Sequence, residues 1–149
     1  DALDTMKSQA RRYPIASPVP NADITSRFGY RKDPIIGSAA FHGGIDFRAE
    51  IGHPIKAPAA GVIEFAGVKG GYGNCIEIRQ KNGILTRFGH LSRIRVTEGE
   101  KIAAGAVIGD VGNTGRSTGP HLHYEIRVDD NPVDPWRYLS IGRKIATLL

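Results

Sequence analysis

Residues 121–127 read HLHYEIR, a stretch in which polar and apolar residues alternate. Because successive side chains of a β-strand point to opposite faces of the sheet, we predict a strand here. One face is apolar and belongs in the core, and it comprises Leu122, Tyr124 and Ile126. The other face is polar and comprises His121, His123, Glu125 and Arg127. Two imidazoles are thus held on a strand that is anchored in the core, which is the support that a metal or catalytic site needs.

Short apolar segments between turn residues lie on the N-terminal side of this stretch. Gly and Pro occur 19 and 9 times, and they bracket most of these segments. The Asn82-Gly83 dipeptide predicts a hairpin turn. Short strands are predicted at 62–65, 76–79, 84–90, 101–102 and 107–111. This density of strands predicts a mainly β fold with an antiparallel sheet as its core and little helix.

The two ends of the chain differ from this strand pattern. Leu3, Met6 and Ala10 have helical spacing, and the prolines that follow them predict an extended linker. Near the other end, Asp134 and Pro135 suit the cap and the first position of a helix of one or two turns. We therefore predict three parts, which are a tail from a longer precursor at 1–20, a domain at 21–140 and a C-terminal tail at 141–149.

Composition excludes several functional classes. A length of 149 residues corresponds to one domain. The longest apolar stretch, residues 102–109, is much shorter than the roughly 20 residues that span a bilayer, so we predict no membrane span. The net charge of +5 favours anionic polymers, but no run of basic residues exceeds two, which disfavours nucleic acid. Cys75 is the single cysteine, so a cysteine-rich metal site is excluded and a packed, inert thiol is expected.

A second polar motif, FHGGIDF, occupies residues 41–47. Its two consecutive glycines disfavour a helix, so we predict a bent loop that runs into a strand. In that strand Ile45 and Phe47 face the core while Asp46 faces away from it. His42 and Asp46 carry nitrogen and oxygen ligands that suit zinc, and three protein ligands with an open fourth position form a catalytic site.

Three other polar residues have simpler interpretations. By strict alternation, His90 shares a strand face with Thr86 and Phe88, and it joins a site only if other site residues gather around it. Glu125 lies on the histidine face and could support a ligand, but a surface glutamate is the simpler interpretation. His53 lies in a turn and is expected to be solvated.

Together these motifs resemble those of the lysostaphin-like zinc metallopeptidases, endopeptidases that cut peptide cross-links in bacterial cell walls. The resemblance spans about residues 24–136. The segments that carry it are 26–34, 42–46, 57–63, 72–74, 89–92 and 112–125. It implies a β-rich fold with a groove along an antiparallel sheet, closed by loops, and Zn²⁺ as the cofactor.

The resemblance also implies a role for five residues. It makes His42, Asp46 and His123 the zinc ligands, and it makes His90 and His121 catalytic residues beside the metal. The sequence leaves open which of these two histidines is the general base, and it leaves the oligomeric state open. The implied activity is hydrolysis of peptidoglycan peptides by a metal-activated water, in the periplasm or outside the bacterial cell.

Two alternatives have other chemistry. A cupin is suggested by Gly115 ahead of the histidine pair, but a cupin glutamate should follow three or four residues after the pair, and Glu125 follows after one. The other alternative is a non-catalytic module of the same fold that binds the cell wall or activates an amidase. The presence of all five implied site residues favours the enzyme.

Overall fold

The structure is a computed structural model that describes residues 1–32 and 39–148. Part of the family-like segment 26–34 therefore lies outside the described residues. The helices are α1 (Ala2–Ala10) and α2 (Trp136–Leu148), and a 3-10 turn covers Gly70–Tyr72. The strands within the described residues are β1 (Ile24–Ser26), β2 (Gly29–Lys32), β3 (Ala39–His42), β4 (Ile45–Arg48), β5 (Pro54–Lys56), β6 (Gly61–Val68), β7 (Asn74–Arg79), β8 (Ile84–Leu91), β9 (Arg93–Ile94), β10 (Lys101–Ile102), β11 (Val107–Asp110), β12 (His121–Val128) and β13 (Asn131–Val133).

One antiparallel sheet forms the centre of the domain. Its strands lie in the order β1-β4-β12-β8-β7-β6-β10, and β13 also pairs with β12. Strand β12 is interior, because β8 pairs with one edge while β4 and β13 pair with successive parts of the other. Two smaller sheets contain β5-β11-β9 and β2-β3. The prediction of a mainly β, antiparallel fold is confirmed.

The core lies on the apolar face of β12. Leu122, Tyr124 and Ile126 are fully buried, as their alternation predicts. Ile45 and Phe47 of the neighbouring β4 are buried on the same side, which confirms the predicted orientation of this strand. The opposite face of β12 is therefore left to its polar residues, and it forms the floor of a groove.

The N-terminal segment packs against the domain. Val19 is fully buried and belongs to the core. The carbonyl of Pro18, the residue before Val19, accepts a hydrogen bond of 2.8 Å from the backbone N–H of Lys56. Pro18 and Val19 therefore pack with the sheet, although they precede the predicted start of the domain at residue 21.

Helix α2 is longer than the one or two turns expected. Asp134 caps it as predicted, since its Oδ1 accepts a hydrogen bond of 3.0 Å from the Trp136 N–H. The helix continues because its face packs against the domain: Leu139 is buried, and Gly142 lies so close to the Ile15 backbone that a Cβ would collide there. The assignment of residues 1–20 and 141–149 to tails of a longer protein stays a prediction. Neither described helix has the length and hydropathy of a membrane span.

Candidate metal and catalytic site

The structure brings all five predicted site residues together in one cavity. This cavity has a volume of about 540 Å³ and is open to solvent. Its polar centre consists of His42, Asp46, His90, His121 and His123. The remaining histidine, His53, is exposed and does not line the cavity, as expected.

Pairing of β4 with β12 places the first carboxylate beside a histidine. Asp46 and His123 are direct partners across these two strands. The preceding glycines turn the chain sharply, and Gly44 lies so close to the Tyr124 carbonyl that a side chain would collide with it. This turn brings His42, at the end of β3, back to the same point. Asp46 Oδ1 lies 2.9 Å from His123 Nδ1 and 3.4 Å from His42 Nε2.

The resulting cluster fits a zinc ion. His42, Asp46 and His123 each offer one ligand atom, and these atoms lie within 4.8 Å of one another. Two imidazole nitrogens and one carboxylate oxygen suit zinc, and three protein ligands would leave a fourth position for water or substrate. No second cluster of three potential ligands occurs elsewhere in residues 1–32 and 39–148.

Three of the four histidines have the same hydrogen-bonding arrangement. Each donates its Nδ1–H to a backbone carbonyl, since a carbonyl can only accept. The pairs are His42 with Arg27 at 2.9 Å, His90 with Thr114 at 2.7 Å and His121 with Gly119 at 2.8 Å. This fixes the tautomer of each neutral ring and leaves Nε2 free to bind a metal or accept a proton.

His123 has the reverse arrangement. Its Nδ1 faces Asp46, and its Nε2 lies 2.8 Å from Glu125 Oε2. Glu125 is only 3% exposed, so the interpretation as a surface glutamate is wrong. Burial by itself raises the pKa of Glu125, but hydrogen bonds from His123 and Tyr72 outweigh it and lower the pKa to about 2. Glu125, which is hydrogen-bonded to His123 Nε2, is therefore an ionised carboxylate at neutral pH.

The metal-free cluster holds a proton tightly. Burial lowers the pKa of His123, but hydrogen bonds with Asp46 and Glu125 outweigh it and raise the pKa to about 9. Burial raises the pKa of Asp46, but hydrogen bonds from His123 and His42 outweigh it and keep the pKa well below its ordinary value. Since a metal binds the neutral imidazole, a zinc ion held by His123 would have to compete with this proton.

His90 reaches the cavity through an irregularity in β8. Asn74 and Ile76 of β7 are two residues apart, but their partners Leu91 and Phe88 are three apart, so β8 contains a bulge. His90 lies in this bulge with φ of 67°, a left-handed conformation that is unusual for histidine. The expectation that it shares a face with Phe88 is therefore wrong. Its ring centroid lies 4.8 Å from that of His121.

The loop at 112–120 closes one side of the cavity and supports His90. Gly73 and Gly115 have φ of 67° and 74°, and their backbones lie too close for a Cβ at either position. This contact fixes Thr114, whose Oγ1 donates a 2.7 Å hydrogen bond to the Leu91 carbonyl while its own carbonyl accepts from His90. The prediction of loops around the groove agrees with this wall.

Tyr72, Thr114 and Arg116 contribute to the site but were not singled out as site residues from the sequence. Tyr72 and Arg116 line the cavity, and Thr114 orients His90 through its backbone. All three belong to family-like segments, 72–74 and 112–125, which are the one sequence signal that pointed to them. Composition alone does not reveal which residue of such a segment faces the groove.

Two histidines and one aspartate that meet in an open cavity, with two more histidines beside them, form a donor set that suits a zinc-dependent hydrolase. Residues 40–135 match the sequence family described as Peptidase family M23. The chain belongs to this family, and the domain is a metallopeptidase. This membership leaves no support for the cupin alternative.

Two curated relatives have substantial identity. A DD-carboxypeptidase/endopeptidase Mpg of Neisseria meningitidis serogroup B is 54% identical over 112 residues, which cover 75% of this chain and 26% of that protein. The peptidoglycan DD-endopeptidase ShyA of Vibrio cholerae is 39% identical over 132 residues, covering 88% of this chain and 30% of that protein. The chain thus spans about a quarter to a third of the length of these relatives.

Solved structures show the same fold. A zinc-containing peptidase from Vibrio cholerae superposes with a TM-score of 0.76 at 37% identity, covering 84% of this chain and 38% of that one. The catalytic domain of lysostaphin from Staphylococcus simulans superposes with a TM-score of 0.73 at 34% identity, covering 82% and 95%. The lysostaphin-like resemblance is confirmed. Family, donor set and zinc-containing neighbour agree on zinc as the cofactor.

Proposed function

We propose that this domain is a zinc endopeptidase that hydrolyses peptide cross-links of bacterial peptidoglycan with a metal-activated water. The observation that carries the proposal is the meeting of three metal ligands with two further histidines, each with a free Nε2, in one open groove. The relatives support the substrate class, since one is described as a peptidoglycan DD-endopeptidase.

In this proposal His42 Nε2, Asp46 and His123 Nδ1 hold the zinc ion. When bound in such a site, zinc supplies a Lewis acid that polarises the scissile carbonyl and lowers the pKa of a coordinated water towards about 7. The chain itself supplies the proton transfer. One of His90 and His121 takes the proton of the water at its Nε2 and returns a proton to the leaving amine.

The position of the two catalytic histidines supports this role. His121 Nε2 lies 3.8 Å from Asp46 Oδ1. His121 is therefore next to the ligand cluster but is not one of its three members. Burial lowers the pKa of His90, which keeps its ring neutral and able to accept a proton at neutral pH. Both rings receive fixed orientation from a carbonyl, as a general base or an orienting group requires.

The groove is suited to an acidic peptide. Beyond His121 lies a smaller cavity of about 270 Å³, which shares Asp46, Thr118 and His121 with the main one. Arg48 lines the smaller cavity and Arg116 lines the larger one. An arginine in the lining of each cavity favours a substrate that carries carboxylates, as does the net charge of +5.

The proposal also covers the cellular location and the binding partner of the whole protein. Hydrolysis of peptidoglycan requires a location in the bacterial cell envelope, either periplasmic or extracellular, and makes peptidoglycan the partner of the groove. The rival function is a non-catalytic wall-binding or amidase-activating module. The intact ligand set favours hydrolysis over this rival.

Digestion of purified peptidoglycan tests the proposal. The zinc-loaded domain is incubated with sacculi, and the soluble fragments are separated and identified by mass. We expect cross-linked dimers to be converted into monomers, and the fragment masses name the scissile bond. Binding to sacculi with no fragment released would instead support the non-catalytic module.

A further inference from the structure

We propose that Glu125 is a positioning residue for the zinc site, which holds the His123 ring so that Nδ1 faces the metal. This inference rests on His123 being a zinc ligand, as in the proposed function. Glu125 is not a member of the ligand cluster, and its carboxylate acts through the imidazole.

The contact is direct and buried. His123 Nε2 donates to Glu125 Oε2 over 2.8 Å, and the exposures of the two residues are 9% and 3%. An imidazole whose Nε2–H is held by a carboxylate presents Nδ1 on its other side. That Nδ1 is the atom 2.9 Å from Asp46 Oδ1. Without this hydrogen bond the ring can rotate or change tautomer and withdraw Nδ1 from the metal.

The carboxylate is itself fixed by charged neighbours. Glu77, Arg87 and Glu125 lie side by side on β7, β8 and β12, as successive cross-strand partners. Arg87 donates to Glu77 Oε2 at 2.6 Å and to Glu125 Oε1 at 3.1 Å. Arg127 donates a further 3.0 Å hydrogen bond to Oε1. In this row of alternating charges, the two arginines hold Oε1 of Glu125, and Oε2 accepts the hydrogen bond from His123.

Tyr72 covers the row from the cavity side. Its hydroxyl donates to Glu125 Oε2 at 2.7 Å, and the Arg87 guanidinium lies 5.0 Å from its ring centroid. Its ring also lies 5.7 Å from that of His123. Tyr72 thereby excludes water from the hydrogen bond between Glu125 and His123, and a carboxylate that is partly shielded from water binds a donor more strongly.

Zinc affinity tests the inference without any activity measurement. The apparent Kd for Zn²⁺ is measured by competition with a chromophoric chelator for wild type, Glu125→Gln and Glu77→Gln. Glu77→Gln is the matched control, because Glu77 is 5% exposed and bonds to the same Arg87 but contacts none of the proposed ligands in the described structure. Co²⁺ spectra of the same proteins report ligand geometry.

We expect Glu125→Gln to weaken zinc binding about 10-fold to 100-fold, as substitutions behind ligating histidines do. Glu77→Gln should stay within about twofold of wild type, and only Glu125→Gln should change the Co²⁺ spectrum. Equal affinity of Glu125→Gln and wild type would overturn the inference, as would an equal loss in both variants, which indicates a general effect of the charged row.

Two further variants complete the experiment. Glu125→Asp keeps the charge beside Arg87 but retracts the carboxylate from His123, so it should also weaken zinc binding and serves if Glu125→Gln does not fold. His123→Ala separates this inference from the proposed function. If His123→Ala retains zinc, the ligand assignment fails; if it loses zinc while both Glu125 variants bind normally, only the role of Glu125 fails.

Discussion

His123 and the other histidines of the site are held in opposite ways. His123 lies on an interior strand, is backed by the Glu125 carboxylate and presents Nδ1. His90 and His121 are backed by carbonyls of the loop at 112–120 and present Nε2. The comparison indicates that the central sheet holds two of the three proposed zinc ligands, Asp46 and His123, whereas the loop orients the two histidines proposed to move protons. Substitutions in the two regions should therefore separate metal binding from turnover.

The largest expected effect is on the sheet side. His123→Ala removes one of the three proposed ligands, so zinc and peptidoglycan hydrolysis should both be lost. Zinc content of the purified variant and fragment release from sacculi measure the two effects. His53→Ala is the control, since His53 is exposed and lies outside the cavity. Hydrolysis by zinc-free His123→Ala would contradict the proposed chemistry.

A loop-side substitution should spare the metal. His121→Ala removes a proton carrier but no ligand, so we expect about one zinc per chain and a fall in kcat of about 10²-fold to 10⁴-fold. Steady-state hydrolysis and zinc analysis on one preparation give both values. Loss of the metal here would reverse the roles of the two histidines on β12.

The loop can also be disturbed without touching a histidine. Gly115→Ala adds a Cβ that collides with the Gly73 backbone at a φ of 74°, so we expect the protein to lose about 1–3 kcal/mol of stability. The displaced Thr114 carbonyl should loosen His90 and lower kcat while the zinc affinity stays near that of wild type. Thermal unfolding, kcat and zinc titration follow these effects. An equal loss of zinc affinity would show that loop and sheet are not independent.

The fall of turnover at acidic pH is a second test of the loop side, because it depends on His90. Burial lowers the pKa of His90, so its neutral form persists at neutral pH and is lost only as the pH falls below about 6.5, the ordinary value for imidazole. Turnover that requires neutral His90 should therefore be full at pH 7 and decline below it. Zinc content measured at each pH separates this decline from metal release. A decline that sets in above pH 7 would contradict the assignment.

The smallest expected effect lies in the core, away from both regions. Burial raises the pKa of Cys75 to about 12, and the side chain is fully buried. The folded protein should therefore show almost no reaction with a thiol reagent at pH 8, and one equivalent after unfolding in denaturant. Rapid reaction of the native protein would show that β7 opens readily, and the sheet would then be a poor rigid support.

The sequence predicted the parts of the molecule that depend on local alternation. Leu122 and Tyr124 face the core and the histidines beside them face the groove, because a regular strand leaves no other choice. His90 departs from this alternation, because it lies in a bulge of β8 that depends on how β7 and β8 pair. Glu125 obeys the alternation, but its burial was missed, because its partner Arg87 comes from another strand and only the register reveals the contact.

A zinc-edge anomalous difference map of crystals of the zinc-loaded protein tests the central comparison most directly. We expect one peak, bonded at about 2.0–2.2 Å to His42 Nε2, Asp46 and His123 Nδ1, with Glu125 on the far side of the His123 ring. His90 and His121 should lie beside the peak without bonding to it. A peak bonded to His123 Nε2, or to either of those two histidines, would contradict the proposed ligand set.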